Sequence, residues 1–248
     1  MSEMGVLRKI AKLLFSFLFP LSLTFLILTF FLRNLTSYEN AKSLFSMIYS
    51  NVVLNASREK IESEYEKIVL HCNLYPNFTF SVNNLSVSCS EILGKNLTLA
   101  IQTVAYKLFD SIYFKEYQCS FLECLRNINS LEDFLVIFSN KAYTFFDKIF
   151  KLSILTTSFF AILLLISIES WSERFKTFGL EFLSIGIFFF VFPLLQNIIF
   201  KELPFFVKKD ILDVVLNQFS SVFLFLLVAG ALLIFLWILA KIFAKKSK

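Results

Sequence analysis

Four apolar stretches restrict what this chain can fold into. LLFSFLFPLSLTFLILTFFL covers residues 13–32, LSILTTSFFAILLLISI residues 152–168, FGLEFLSIGIFFFVFPLLQNIIF residues 178–200 and VFLFLLVAGALLIFLWILA residues 222–240. A helix of roughly 20 apolar residues crosses the ~30 Å hydrocarbon core of a bilayer, and in lipid the backbone must satisfy its own hydrogen bonds. The stretches predict an all-α fold built on a bundle of four transmembrane helices. A mean hydropathy of +0.71 with only 17% charged residues agrees with that class, because a water-soluble domain of 248 residues needs more charge at its surface. Pro20 and Pro193 are expected bends. The first stretch lacks the short apolar core and small-residue cleavage site of a signal peptide and reads as a retained anchor.

Basic residues set the orientation. Arg8, Lys9 and Lys12 lie in segment 1–12, Arg174 and Lys176 in 169–177, and Lys241, Lys245, Lys246 and Lys248 in 241–248. With four spans these three segments share one side, which the positive-inside rule makes cytoplasmic, so both termini are expected inside. Trp171 and Trp237 sit near that face as interfacial belt residues would. The other two connections, 33–151 and 201–221, carry balanced charge, which leaves essentially the whole net +5 on the cytoplasmic side.

Segment 33–151 is then extracellular or lumenal, and its chemistry suits an oxidising compartment. It holds all four cysteines, Cys72, Cys89, Cys119 and Cys124. An even number there implies two disulfides. FTFSV and LSVSC alternate with period two about Asn83-Asn84, so a small β-hairpin near residues 77–89 is expected to bring Cys72 to Cys89. CSFLEC then closes on itself as Cys119–Cys124. A zinc site would need histidines at ligand spacing, and His71 is the chain's single one, so no metal is expected. Five N-x-[ST] sequons, at Asn34, Asn55, Asn77, Asn84 and Asn96, all fall in this segment and predict a surface glycoprotein. Asn34 is the weakest acceptor because it lies against the first span.

The remainder of 33–151 reads as helix. Tyr38, Ala41, Phe45, Ile48 and Val52 keep helical spacing, resumed by Ile61, Tyr65 and Ile68 after a polar patch. Leu93, Leu97, Ala100 or Ile101, Val104 and Leu108 mark a second helix. A third is expected from Ser130, where S-L-E-D offers a cap, through Phe138 and Ile149 without a break before the second span. The first and third would prolong the neighbouring spans outward as a stalk-like bundle. KELPFFVKKDILDVVLNQ, opening segment 201–221, is amphipathic and suggests a short interfacial helix.

Enzyme signatures are missing: there is no G-x-S-x-G, H-E-x-x-H, P-loop or dinucleotide fingerprint. The sequence therefore implies a non-catalytic protein without a cofactor. Ionisable residues inside a span are costly and are candidate sites by default. Glu181 is such a residue, expected to reach the interface or to pair with Arg174 or Lys176, while Gln196 and Asn197 after Pro193 could line a polar path. Ala229-Gly230-Ala231 is a small-residue patch for close helix approach. The Glu59–Glu66 run alternates in charge and fits a solvated helix face. No basic patch suited to nucleic acid stands apart from the membrane-flanking cations. The GLW…C…C loop pattern of claudin-like proteins and the CCG motif of tetraspanins are both missing, as are the second-loop cysteines of connexin-like channels. Beyond the lipid bilayer, the expected partner is another surface or membrane protein, or further copies of this chain. The alternatives are a subunit of an oligomeric channel or transporter and an accessory subunit of a larger membrane complex.

Overall fold

The long apolar runs form long helices. The computed structural model describes residues 3–82, 85–127, 133, 135–199 and 205–246. In chain order it shows α1 (Glu3–Leu35), α2 (Tyr38–Leu74), β1 (Thr79–Val82), β2 (Leu85–Ser88), a 3₁₀ turn at Cys89–Glu91, α3 (Leu97–Tyr113) and α4 (Phe121–Arg126). A 3₁₀ turn at Leu135–Phe138, α5 (Asn140–Ser167), α6 (Trp171–Ile199) and α7 (Phe205–Lys246) follow. Two units emerge. An apolar unit comprises Met1–Arg33, Phe146–Leu203 and Asp213–Lys248, and a cysteine-bearing unit comprises Asn34–Phe145 and Pro204–Leu212.

Among the described residues three helices are long and apolar enough to cross a membrane: Val6–Leu35 in α1, Asn140–Ser167 and Ser220–Phe243 in α7. The stretch expected as the remaining span lies in α6, which is helical over 29 residues. In the apolar unit, Phe19, Leu23 and Ile27 of α1 form one stripe at i, i+4 and i+8 and bury against Leu164 and Ile168, Ile185 of α6, and Phe223 and Leu226 of α7. Phe19 meets the edge of Phe178 at 5.1 Å, and Phe189 stacks on Phe223 at 4.8 Å.

Glycine brings α6 and α7 together. A Cβ on Gly230 would lie 2.8 Å from Leu183 Cγ and 2.9 Å from the Leu183 backbone nitrogen; one on Gly186 would lie 2.9 Å from Leu227 Cγ. Gly179 faces Ile234 in the same way. Glycine inside a helix costs about 1 kcal/mol relative to alanine, and here the backbones approach closely in return. The small-residue patch around Gly230 therefore packs within the chain.

The cysteine-bearing unit rests on α2 against α3. Ala41 and Phe45 of α2 bury against Phe109, Ile112 and Tyr113 of α3, with Tyr38, Tyr49 and Phe138 around them. The strands pair antiparallel with Phe80 opposite Val87 and Val82 opposite Leu85. This register confirms the expected hairpin, although its turn, Asn83-Asn84, lies outside the described residues. Val87 buries with Ile92 and Ala100, and Phe80 packs against the same cluster.

Several expected helix boundaries are corrected. α2 is one helix of 37 residues and runs straight through the polar patch at 55–60. It does not prolong α1, because the chain breaks at Thr36-Ser37. Ser37 is extended, and its N–H and hydroxyl both donate to the Asn34 carbonyl, at 3.2 and 2.6 Å. The expected start of a third helix at Ser130 lies outside the described residues. Downstream, the helix is interrupted at Ser139, whose hydroxyl donates to the Val136 carbonyl at 2.6 Å and whose own carbonyl accepts from Ala142 and Tyr143. Serine competes with the helical ladder in this way and so favours helix starts. The amphipathic connection is helical from Phe205 but belongs to α7, so it is not a separate short helix.

Candidate functional site

The cysteine-bearing unit is organised by its two disulfides. Cys72, at the end of α2, bonds to Cys89, and Cys119 bonds to Cys124; the Cα atoms are 5.2 and 5.5 Å apart. Both pairings are the expected ones. Cys72 and Cys89 are fully buried. Ser88 then starts the next turn with a capping box: its N–H donates to Glu91 Oε2 at 2.9 Å. Lys107 of α3 reaches the same oxygen at 2.7 Å and also donates to the Ser86 carbonyl at 2.6 Å, fastening the hairpin to α3. The Lys107 ammonium, then the Ser88 N–H, hold the Glu91 carboxyl below its ordinary range, against a smaller opposing effect of burial. In the second disulfide loop, Ser120 and Glu123 form another capping box, and Lys141 donates to the carbonyls of Tyr117 and Cys119.

His71 is not an isolated neighbour of Cys72. Its ring lies 4.8 Å from Phe78 and 5.1 Å from Tyr75, and Phe78 touches Phe80 at 5.0 Å. Its Nε2 is buried without a hydrogen-bond partner among the described residues. Around this cluster Leu70, Leu74, Tyr75 and Phe78 are exposed, from 45% to 68%. Contiguous exposed apolar surface marks contact sites. The patch is not legible in the sequence, because period two and period 3.6 patterns meet there and neither shows which side chains stay uncovered.

The sequons fall in different settings. Asn77 is exposed in the turn before β1. Asn96 is exposed at the start of α3, where its Oδ1 accepts from the Leu99 N–H at 2.9 Å. Asn34 is half-buried at the end of α1. The Asn55 side chain and Asn84 lie outside the described residues.

In the apolar unit, Glu181 is half-buried on α6, with no hydrogen bond or ion pair for its carboxylate among the described residues. The expected cations are engaged elsewhere. Arg174 donates to the Ile168 carbonyl at 2.9 Å and sits over Trp171, and Lys176 sits 5.5 Å from the Trp237 ring. Gln196 and Asn197 are on the α6 backbone, but their side chains lie outside the described residues. Polar contact is instead concentrated between α1 and α5. Thr29 Oγ1 and Ser153 Oγ are 2.9 Å apart, Thr157 donates to the Ser22 carbonyl at 3.0 Å, and Arg33 pairs with Asp147 at 2.7 Å. Ser22 and Thr29 stand seven residues apart on α1, a spacing that could have announced this seam in the sequence. Among the described residues no cluster of His, Cys, Asp and Glu could hold a metal ion.

No family model, no curated protein and no solved structure matches this chain.

Proposed function

We propose that this chain is a non-catalytic, four-span membrane protein with both termini cytoplasmic, whose glycosylated outer segment binds or assembles with another surface or membrane protein. The observation that carries this reading is the exposed apolar surface of Leu70, Leu74, Tyr75 and Phe78 beside the buried Cys72–Cys89 bridge. A disulfide at the base holds the patch in one shape, which lowers the ordering cost of binding. Aromatic side chains suit interface centres. A glycan on Asn77 would border the patch and limit the directions of approach.

Gentle extraction from native membranes, followed by measurement of particle mass and composition, tests this. A stoichiometric foreign subunit, lost in a Leu74→Ser/Tyr75→Ser variant that still forms both disulfides, supports it. Retention of the subunit by that variant would remove the patch from the mechanism.

A second reading, an oligomeric channel, draws on the carboxylate of Glu181, which has no partner among the described residues. Rings of one residue from several copies can line a pore. It requires a symmetric homo-oligomer whose ion flux is lost in Glu181→Gln; a monomer, or unchanged flux, would sink it.

A further inference from the structure

An open groove of about 680 Å³ runs along α1 and α5 within the apolar unit. Its walls include Leu21, Phe25 and Leu28 of α1 and Leu152, Thr156 and Phe160 of α5. The hydroxyls in it are already used: Thr24 donates to the Pro20 carbonyl, Thr156 to the Leu152 carbonyl, and Ser153 faces Thr29. Nothing in the lining asks for a polar guest.

The dimensions and the charge at the mouth identify an occupant. On α5 the groove begins at Leu152, directly after Lys151, and continues to Phe160, about 12 Å at 1.5 Å per residue. On α1 it extends between Leu28 and Phe17, about 17 Å. Both lengths are close to the ~15 Å of one leaflet's hydrocarbon, half of the ~30 Å core. One turn before Leu152 on the same face stands Lys148, exposed and without a carboxylate partner among the described residues. Its neighbour Asp147 is already taken by Arg33 and Lys151. Helical side chains lean toward the N-terminus, so Lys148 reaches away from the groove, to headgroup depth.

We propose that this groove holds one acyl chain of a bound phospholipid, whose phosphate is received by Lys148. The inference rests on α1 and α5 crossing the bilayer and is independent of which side faces the cytoplasm and of any protein partner.

The full chain is placed in phosphatidylcholine nanodiscs containing a phosphatidylglycerol with a mid-chain diazirine, irradiated, and mapped by peptide mass spectrometry. Label is expected at Leu21, Phe25 or Thr156 in excess over the exposed Leu224, Phe225 and Leu232 of α7. Lys148→Glu should lower groove labelling about fivefold or more, from the contribution of one lysine near an anionic surface, and Lys148→Arg should keep it. Even labelling of all exposed apolar residues would overturn the site, and unchanged labelling in Lys148→Glu would overturn the headgroup contact. An unlabelled groove in a particle of twice the chain mass would assign it to a second copy instead. Failure of the chain to resist alkaline carbonate extraction would contradict the membrane reading itself.

Discussion

Arg33 Nε lies 2.7 Å from Asp147 Oδ1, while Lys151 Nζ holds the other carboxylate oxygen at 2.7 Å. One carboxylate thus ties the end of α1 to α5 and neutralises one of two cations beside the apolar stretches. Arg33 also covers the Phe150 ring at 5.2 Å. Asp147→Asn should lower the melting midpoint in detergent. A double-mutant cycle on Arg33 and Asp147 should give a larger coupling than one on the exposed pair Arg58–Glu62, where a few tenths of a kcal/mol is expected. Equal couplings would mean that the bridge only decorates the surface.

Gly230→Ala should destabilise by about 1–3 kcal/mol, because the added methyl meets the Leu183 backbone, which cannot rotate away. Gly94 offers a contrast. An added Cβ there has nothing within 4 Å, but φ is +77°, so Gly94→Ala should cost about 1–2 kcal/mol through backbone strain. Gly94→Asn, which tolerates positive φ, should recover much of that loss, whereas Gly230→Asn should be worse than alanine. Melting curves of the four variants distinguish crowding from strain.

Acid should loosen the hairpin. The folded-state pKa of Glu91 is depressed by Lys107 and the Ser88 N–H. Its stabilising contribution is therefore fully present above the ordinary carboxyl value and is lost as pH falls through the lower folded value. Hydrogen exchange at Ser88 and nearby amides should accelerate over that acid range beyond the intrinsic pH trend, and Glu91→Gln should abolish the extra pH dependence. A pH profile identical in both proteins would count against the Lys107–Glu91 link.

Asn96 caps α3 and, on the proposed topology, would also accept a glycan, so the two roles can be separated. Asn96→Asp should remove one glycan mass step while keeping the cap, and Asn96→Ala should remove the glycan and cost about 0.5–2 kcal/mol in addition. Asn77→Gln should remove a further step, whereas Asn34→Gln should leave the glycan ladder unchanged. A ladder that shortens with Asn34→Gln would contradict the expected closeness of that residue to the bilayer.

Features encoded locally were the most legible in the sequence. The Thr79–Ser88 hairpin and both disulfides follow from alternation and short cysteine spacings, which need no knowledge of distant partners. The long helices were visible in their apolar runs. The breaks at Ser37 and Ser139 were not, because apolar periodicity continues through both and the serine hydroxyl-to-carbonyl bonds found there also occur inside unbroken helices, as at Ser22 and Ser46. The Thr29–Ser153 seam was hidden because hydroxyl residues read as neutral filler in a greasy helix until their seven-residue spacing is compared with the partner helix. For Glu181, sequence distance offers either the interface or the nearby cations, whereas in the fold an aromatic ring engages each of those cations.

The most direct measurement is non-reducing peptide mapping of the chain purified from its native membrane, with free thiols alkylated at lysis. Cys72 should be recovered linked to Cys89 and Cys119 to Cys124, with no alkylated cysteine. Replacing the first pair by serine should then cost about 3 kcal/mol, the scale for a loop of this length. Alkylated cysteines throughout would place the cysteine-bearing unit in a reducing compartment and reverse the proposed topology. A Cys72–Cys119 or Cys72–Cys124 link would instead leave the compartment intact and contradict the hairpin-centred fold.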